Sequence, residues 1–285
     1  MTRHAYLVMA HNEPQLLDAL LKALDDKRND IFIHIDAKAG FDYASYKPHF
    51  SKIHYIANRI DGRWGDFSLV EIEFALIRAA VRLGQYSHFH LLSGVDLPVK
   101  SQDFIHEYCK ANPNTLFIGY AQNVTDHELS WRSQHRFLFS RSFKSGSAIK
   151  KITRALVARI QSLVKYTRYP LTVKKGSQWW SITSDFAKYL LGNEQQIRHY
   201  FQGTYCPDEM VVQTLCWNSP FRHNICSVTD EFHGCKRYIP WRNGSLMPFT
   251  DHDFTLMQHP DFWFARKFSP SDFPQYYNCF KTICK

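Results

Sequence analysis

Tyr6 to Ala10 and Ile31 to Ile35 are short apolar runs, and the stretch between them is amphipathic. This arrangement constrains the fold more than any other feature of the chain. Each run reads as a buried strand. Pro14 stands where a helix can begin, and Leu17, Leu20, Leu21 and Leu24 recur at helical spacing. A strand–helix–strand unit of this length predicts a parallel strand pair. Ile53 to Ile56 then reads as a strand, and Ser68 to Leu83 as a helix burying Val70, Ile72, Phe74, Ala75 and Ile77. His88 to Leu92 reads as a strand running into Ser93-Gly94-Val95-Asp96, Ser101 to Ala111 as a helix, and Leu116 to Ile118 as a strand. Alternating α/β structure is therefore expected up to about residue 120. In open α/β sheets, ligands bind beyond the carboxyl ends of the strands. Asn12, Asp36 and Asp96 stand at such ends and suggest a nucleotide pocket, although residues in these places also serve as helix caps.

The chain has 285 residues, 45% of them hydrophobic. That is enough for one large core, and no linker or repeat divides it, so residues 1–285 are expected to form a single domain. Its nucleotide-binding half would end near residue 120, with an acceptor and catalytic half following. No stretch approaches the roughly 20 apolar residues that span a bilayer. His11, Asn12 and Glu13 cut the first apolar run short, which argues against a secretory signal. Cys109, Cys206, Cys216, Cys226, Cys235, Cys279 and Cys284 are odd in number, and no Cys-x-x-Cys occurs. Reduced thiols in a cytoplasmic protein fit this pattern, and zinc-finger spacing is lacking.

A net charge of +9 favours anionic partners. The charge is unevenly spread, for no acidic residue lies between Glu128 and Asp185. Arg132, Arg136, Arg141, Lys144, Lys150, Lys151, Arg154, Arg159, Lys165, Arg168, Lys174 and Lys175 all fall there. Inside this block, Ile149 to Val164 reads as an amphipathic helix, with Ile149, Ile152, Leu156, Ile160, Leu163 and Val164 on one face. Such a helix either lies on an anionic membrane or docks its apolar face on the core. Docking is the expectation, and both can hold together. Nucleic-acid binding is not expected, because no helix-turn-helix, finger or RNP-type signature accompanies the charge. Neither a dinucleotide fingerprint nor a P-loop is present.

Further on, Ser177 to Ser181 reads as a strand, Asp185 to Leu191 as a helix, and Pro207-Asp208-Glu209 as the start of a helix reaching about Trp217. Carboxylates in a first turn favour the helix dipole, which alone accounts for Asp208 and Glu209; a general base is the other reading. Phe264-Ala265-Arg266-Lys267-Phe268 sets two cations between aromatics, suited to a pyrophosphate or simply to a surface segment. Arg237 and Arg242 lie shortly before it. Asp251-His252-Asp253 sets two aspartates a residue apart, a spelling that suits a divalent ion, and it reads better as a helix cap.

Taken in order, several segments resemble one family, the core-2/I-branching β-1,6-N-acetylglucosaminyltransferases with their peptide O-xylosyltransferase relatives. They are Ala5 to Asn12, His34 to Lys38, Leu92 to Ser101, Gly176 to Trp180, Pro207-Asp208-Glu209 and Phe264 to Phe268. The chain looks like a compact bacterial member without the membrane anchor and luminal stem of the animal enzymes. The resemblance implies a GT-A-like fold, a Rossmann-type nucleotide-binding α/β mixed sheet flanked by helices. It also implies an inverting, metal-independent transfer from a UDP-sugar, with no cofactor. By that match Glu209 deprotonates the acceptor hydroxyl, while Lys267 and an arginine (Arg237 or Arg242, less readily Arg266) neutralise the departing diphosphate. Asp36 would meet the uracil or ribose, bordered by His11, Asn12 and Lys38, with Trp64 as an aromatic near the nucleotide. Trp179 and Trp180 would offer the sugar a stacking wall or else pack in the core, and Asp96 and Asp208 join the substrate-binding set. The implied sugar is N-acetylglucosamine, alternatively xylose or glucose. A glycan or lipid-linked glycan would be the acceptor, in surface polysaccharide or lipopolysaccharide synthesis at the inner face of the membrane. A non-catalytic glycan- or lipid-binding protein is the rival reading. The segment from about Val124 to Val173 carries none of these motifs, and acceptor choice is expected to lie there.

Overall fold

A computed structural model describes residues 2–164 and 171–283. Lys165, Arg168 and Cys284 of the sequence reading lie outside the described residues. The first half alternates as expected: β1 (His4–Ala10), α1 (Pro14–Leu24), β2 (Asn29–Ile35), β3 (Lys52–Tyr55), α2 (Ser68–Leu83), β4 (His88–Ser93), β5 (Leu97–Pro98) and α3 (Gln102–Ala111). With β6 (Ser181–Thr183), four of these strands make a mixed sheet in the order β3-β2-β1-β4-β6. β3, β2, β1 and β4 run parallel, and β6 is antiparallel to β4. The register joins Tyr6 to Ile31 and Ala10 to Ile35, so β1 and β2 end side by side.

Helices cover both faces of this sheet, which is why β1 and β2 read as continuous apolar runs rather than alternating ones. Along β1, Ala5, Leu7 and Met9 point into the core with α2, whereas Tyr6, Val8 and Ala10 point into the core with α1 and α3. The expectation of an α/β mixed sheet flanked by helices therefore holds.

Beyond residue 120 come α4 (Asp126–Gln134), α5 (Ala148–Leu163), α6 (Ser184–Gly192), α7 (Glu194–Phe201), α8 (Val211–Trp217) and α9 (Glu231–Cys235). After them follow β7 (Arg237–Tyr238), β8 (Trp241–Arg242), β9 (Ser245–Leu246), α10 (Asp251–Leu256), β10 (Phe264–Ala265) and α11 (Phe273–Cys279). β10 pairs with β5 and β7 in a small second sheet. The chain entering from the C-terminal half thus lies against the segment that follows β4.

Four local expectations need correction. The strand near residue 180 covers Ser181–Thr183 and not Ser177–Ser181; Trp180 precedes it, its carbonyl accepting from Leu91 N at 3.0 Å. Leu116 to Ile118 forms no regular strand, because Leu116 bridges to Ile225 while Phe117 bridges to Ser181, two different neighbours. Pro207–Glu209 is a separate 3-10 turn entered through Cys206 at φ 49°, and Met210 at φ −129° interrupts it before α8 begins. Last, α5 turns its apolar face outward. Ala158 is the one residue it buries among those described, so the helix is docked by its opposite side.

A cleft at the carboxyl ends of the central strands

Gly94 lets the chain after β4 close on the end of β1. A Cβ there would lie 3.1 Å from Ala10 Cβ, and Gly94 N donates to Met9 O at 2.9 Å. Next to this junction Asp36 N donates to Ala10 O at 2.8 Å. His11 and Asp36 are thereby brought together at the carboxyl ends of two adjacent strands. Gly62 completes this corner: its N–H donates to Asp36 Oδ2 at 2.9 Å, and a Cβ would collide with that same oxygen. Asp36 Oδ1 accepts from Lys38 N at 2.8 Å, while Lys38 Nζ pairs with Asp36 and Asp61 and donates to Gly62 O. Burial works against the charge on Asp61, but hydrogen bonds from Lys38 and Arg63 outweigh it and bring its pKa down to about 2.

The opposite wall comes from the second sheet. β10 is stapled to β5, and Phe268 N donates to Val95 O at 3.0 Å, which brings Arg266 and Lys267 over the end of β4. Arg266 Nε donates to Asp96 Oδ1 at 3.2 Å, and its guanidinium lies 4.4 Å from the Trp179 ring centroid. Stacking and a carboxylate together fix that cation in one place. Lys267 is exposed at the mouth.

These walls enclose a cleft of about 470 Å³ lined by His11, Asp36, Lys38, Trp64, Trp179 and Lys267, with Arg266, Lys144 and Gln178. The size is ordinary for a small-molecule site. Lysines and arginines outnumber carboxylates along it, so an anionic ligand is favoured. Burial, and then the nearby charge of Lys267, pull the His11 pKa below its usual value, with Asp36 opposing.

Other expected residues fall elsewhere. Arg237 is fully buried, its guanidinium donating to Ser181 Oγ and to the carbonyls of Leu91, Trp180 and Cys235. It ties β4, β6 and β7 together and is not available to a diphosphate. Trp180 is likewise fully buried; Trp179 is 6% exposed, and of the pair it alone lines the cleft. Asp96 is closed off too, receiving Ser93 N, Ser93 Oγ and Arg266 Nε; it orients Arg266 and does not meet the ligand itself. Arg242 is engaged by Asp253, outside the lining. That same Asp253 forms a capping box with Thr250, the cap reading of Asp251-His252-Asp253. Asn12 is half-buried beyond β1, outside the lining.

Glu209 is also not among the lining residues. Its turn follows directly on Tyr205, whose ring meets that of Trp64 edge-on at 5.8 Å. Three backbone bonds hold its turn: Cys206 N to Gly65 O at 3.0 Å, Glu209 N to Cys206 O at 3.2 Å, and Gly176 N to Glu209 O at 2.9 Å. Gly176 is packed so tightly against Gly119 that a Cβ there would overlap Gly119 O. The Glu209 carboxylate accepts from Arg132 Nη1 at 2.8 Å, and Lys175 Nζ lies 3.9 Å away. Asp208 is buried next to it. Loss of solvent, then the charge of Glu209, pushes the Asp208 pKa up. Glu73 on α2 is raised for the same first reason and accepts from Gln178 Nε2 at 2.9 Å.

Among the described residues, two groups stand at metal-ligand spacing, His4 with His90 and Cys109, and His233 with His259 and Asp261. Neither shares a residue with the cleft.

Residues 4–273 match the model of the Core-2/I-Branching enzyme family. The chain belongs to that family. Its relatives include Xylosyltransferase 2 of Rattus norvegicus, 22% identical over 94% of this chain and 32% of that protein. Another is the human beta-1,3-galactosyl-O-glycosyl-glycoprotein beta-1,6-N-acetylglucosaminyltransferase, 22% identical over 74% of this chain and 47% of that one. The chain thus spans about a third of the first of these relatives and about half of the second. The apo form of mouse Xyloside xylosyltransferase 1 superposes with a TM-score of 0.38 and 11% identity, covering 95% of this chain and 99% of that one, too distant to bear on function.

For this family member, the sequence motifs reach His11, Asp36, Lys38, Trp64, Trp179 and Lys267 of the cleft but single out neither Lys144 nor Gln178 of its lining, nor Arg132 beside Glu209. Arg132, Lys144 and Gln178 entered the sequence reading only as part of a basic block or a quoted motif. No local pattern marks Arg132, which meets Glu209 across 77 residues.

Proposed function

We propose that the chain transfers a sugar, N-acetylglucosamine in the first instance, from a UDP-sugar to a glycan hydroxyl with inversion and without a metal ion. The observation that carries the reading is the convergence of Lys267 and Arg266 on the corner formed by His11, Asp36 and Lys38. The uridine end would take the Asp36 corner beneath Trp64, the diphosphate the cations, and the sugar the side of the cleft where Arg266 stacks on Trp179. Relatives named for N-acetylglucosamine transfer and for xylose transfer support both donors.

In the proposed step Glu209 takes the proton of the acceptor hydroxyl, and that oxygen forms a bond to the anomeric carbon. The bond from the anomeric carbon to the diphosphate oxygen breaks, and the electron pair leaves with UDP. A single displacement of this kind inverts the anomeric centre. Arg266 and Lys267 face the charge that grows on the leaving group; fixed cations need no reorganisation as it develops. Arg132 holds the Glu209 carboxylate in place. The proposal keeps the cytoplasmic location and the surface polysaccharide or lipopolysaccharide product expected above.

UDP release from a panel of UDP-sugars, with purified protein in EDTA, tests it. Turnover is expected to survive chelation and to fall more than tenfold in Glu209→Gln. Activity that disappears with EDTA, or a variant within tenfold of wild type, overturns the reading.

A further inference from the structure

We propose that the outer ridge of α5 is a docking surface for an anionic lipid bilayer, holding the mouth of the cleft at the membrane surface. Ile149, Ile152, Leu156, Ile160 and Leu163 recur three and four residues apart and form one line along the helix. All five project into solvent, from 50% exposure at Ile160 to 76% at Ile149 and Leu163. The ridge extends for about 21 Å at a rise of 1.5 Å per residue. A continuous row of large apolar side chains on an outer surface marks an interaction site.

The inner side of the same helix is firmly attached, so the ridge does not face outward by accident of a loose segment. Ala158 is buried, and Ser162 Oγ lies 2.7 Å from His135 Nε2. Gln161 accepts from Arg136 N at 2.8 Å and donates to Arg136 O at 3.0 Å. The Arg154 guanidinium lies 4.4 Å from the Phe143 ring centroid and donates to the carbonyls of Leu138, Phe139 and Ser142.

Charge identifies the occupant. Lys150, Lys151 and Arg159 are exposed on α5, and Arg141 and Lys144 lie on the approach to it. No carboxylate occurs anywhere from Leu129 to Ser184. A second copy of the chain laid ridge to ridge would bring two such segments together with no acid in either to pair with. Anionic headgroups supply the missing charge, and the acyl boundary accepts the ridge. The surface adjoins the cleft directly: Lys144 lines it, and Arg141 Nη2 lies 3.0 Å from Asp61 Oδ2 in the Lys38 corner. Docking by the ridge would therefore set the cleft within reach of a lipid-borne substrate. This proposal stands apart from the sugar-transfer reading, because neither depends on the other.

Co-sedimentation with vesicles tests it, using phosphatidylcholine alone and phosphatidylcholine mixed with phosphatidylglycerol. Wild-type protein is expected to bind the mixed vesicles at least about tenfold more strongly, and the Ile152→Asp/Leu156→Asp variant to lose at least about tenfold of that binding. Both side chains are exposed, so the melting temperature should stay the same, as should affinity for UDP. Equal binding to the two vesicle types overturns the proposal, as does undiminished binding by the variant. A wild-type dimer in light scattering that the variant dissolves also overturns it, by showing that a second copy covers the ridge.

Discussion

Arg132 Nη1 lies 2.8 Å from Glu209 Oε2. The arginine is itself held on two further sides, by Glu128 Oε1 at 3.1 Å and by the Tyr205 ring, whose centroid is 5.3 Å from the guanidinium. A carboxylate oriented by a fixed partner is in position before an acceptor arrives, and losing such positioning typically costs orders of magnitude in rate.

Removing this partner should act on turnover. Arg132→Ala is expected to lower kcat by about tenfold to a hundredfold with little change in KM for the donor, since Arg132 is not among the donor cleft's lining residues. Arg132→Lys should recover part of the loss. Steady-state kinetics with varied UDP-sugar separates the two constants; an unchanged kcat would show that the Glu209 carboxylate needs no such support.

The adjacent tryptophans should behave as different kinds of residue. Trp180 is fully buried, and Trp180→Ala is expected to cost about 3–5 kcal/mol of stability, read as a lowered denaturant midpoint. Trp179 is also a core residue, 6% exposed, so Trp179→Ala should lose stability too; what sets it apart is an added loss of UDP-sugar affinity, because Trp179 lines the cleft beneath Arg266. Calorimetry and chemical unfolding on both variants distinguish these outcomes.

Arg237 should matter to folding and not to the ligand. Its guanidinium serves the carbonyls of Leu91, Trp180 and Cys235, and each bond from a charged donor contributes about 1.5–3 kcal/mol. Arg237→Gln is expected to lower stability markedly. Ligand affinity of the protein that remains folded should be close to wild type, measured below the unfolding transition.

Binding of a UDP-sugar should depend on pH through His11. Burial and Lys267 hold its pKa below the usual 6.5 in the free protein. A diphosphate held by Lys267 would offset the positive charge that lowers the His11 pKa and would so raise it. Binding therefore takes up a proton between the free and bound values, so affinity strengthens as pH falls through this window and is flat above it. UDP-N-acetylglucosamine suits the measurement because its diphosphate does not itself titrate there. Calorimetry in buffers of different ionisation enthalpy counts the proton, and His11→Gln is expected to abolish the uptake.

Much of the first half was legible because its determinants are local. The apolar runs of β1 and β2, Pro14 and the leucines of α1 specify a parallel unit almost without tertiary help. His11, Asp36 and Lys38 follow from it, since the ends of adjacent parallel strands must meet. Lys267 was legible through its motif. What escaped depends on which side of an element the fold covers. Arg237 reads as a cation near aromatics, yet the second sheet closes over it. The apolar face of α5 has the pattern of a core face, but the residues that fit against the protein are Ala158 and Ser162 on the other side. Arg132 carries no signal at all, because its partner is distant in sequence.

The central claim is that protein cations at this cleft hold the donor diphosphate without a metal. Calorimetry of UDP binding to wild type and Lys267→Ala, each with and without EDTA, tests it most directly. Wild-type affinity should be the same in chelator, and Lys267→Ala should bind at least about tenfold more weakly, a loss of about 1.4 kcal/mol. Binding that vanishes with EDTA, or a variant that binds UDP as tightly as wild type, would contradict it.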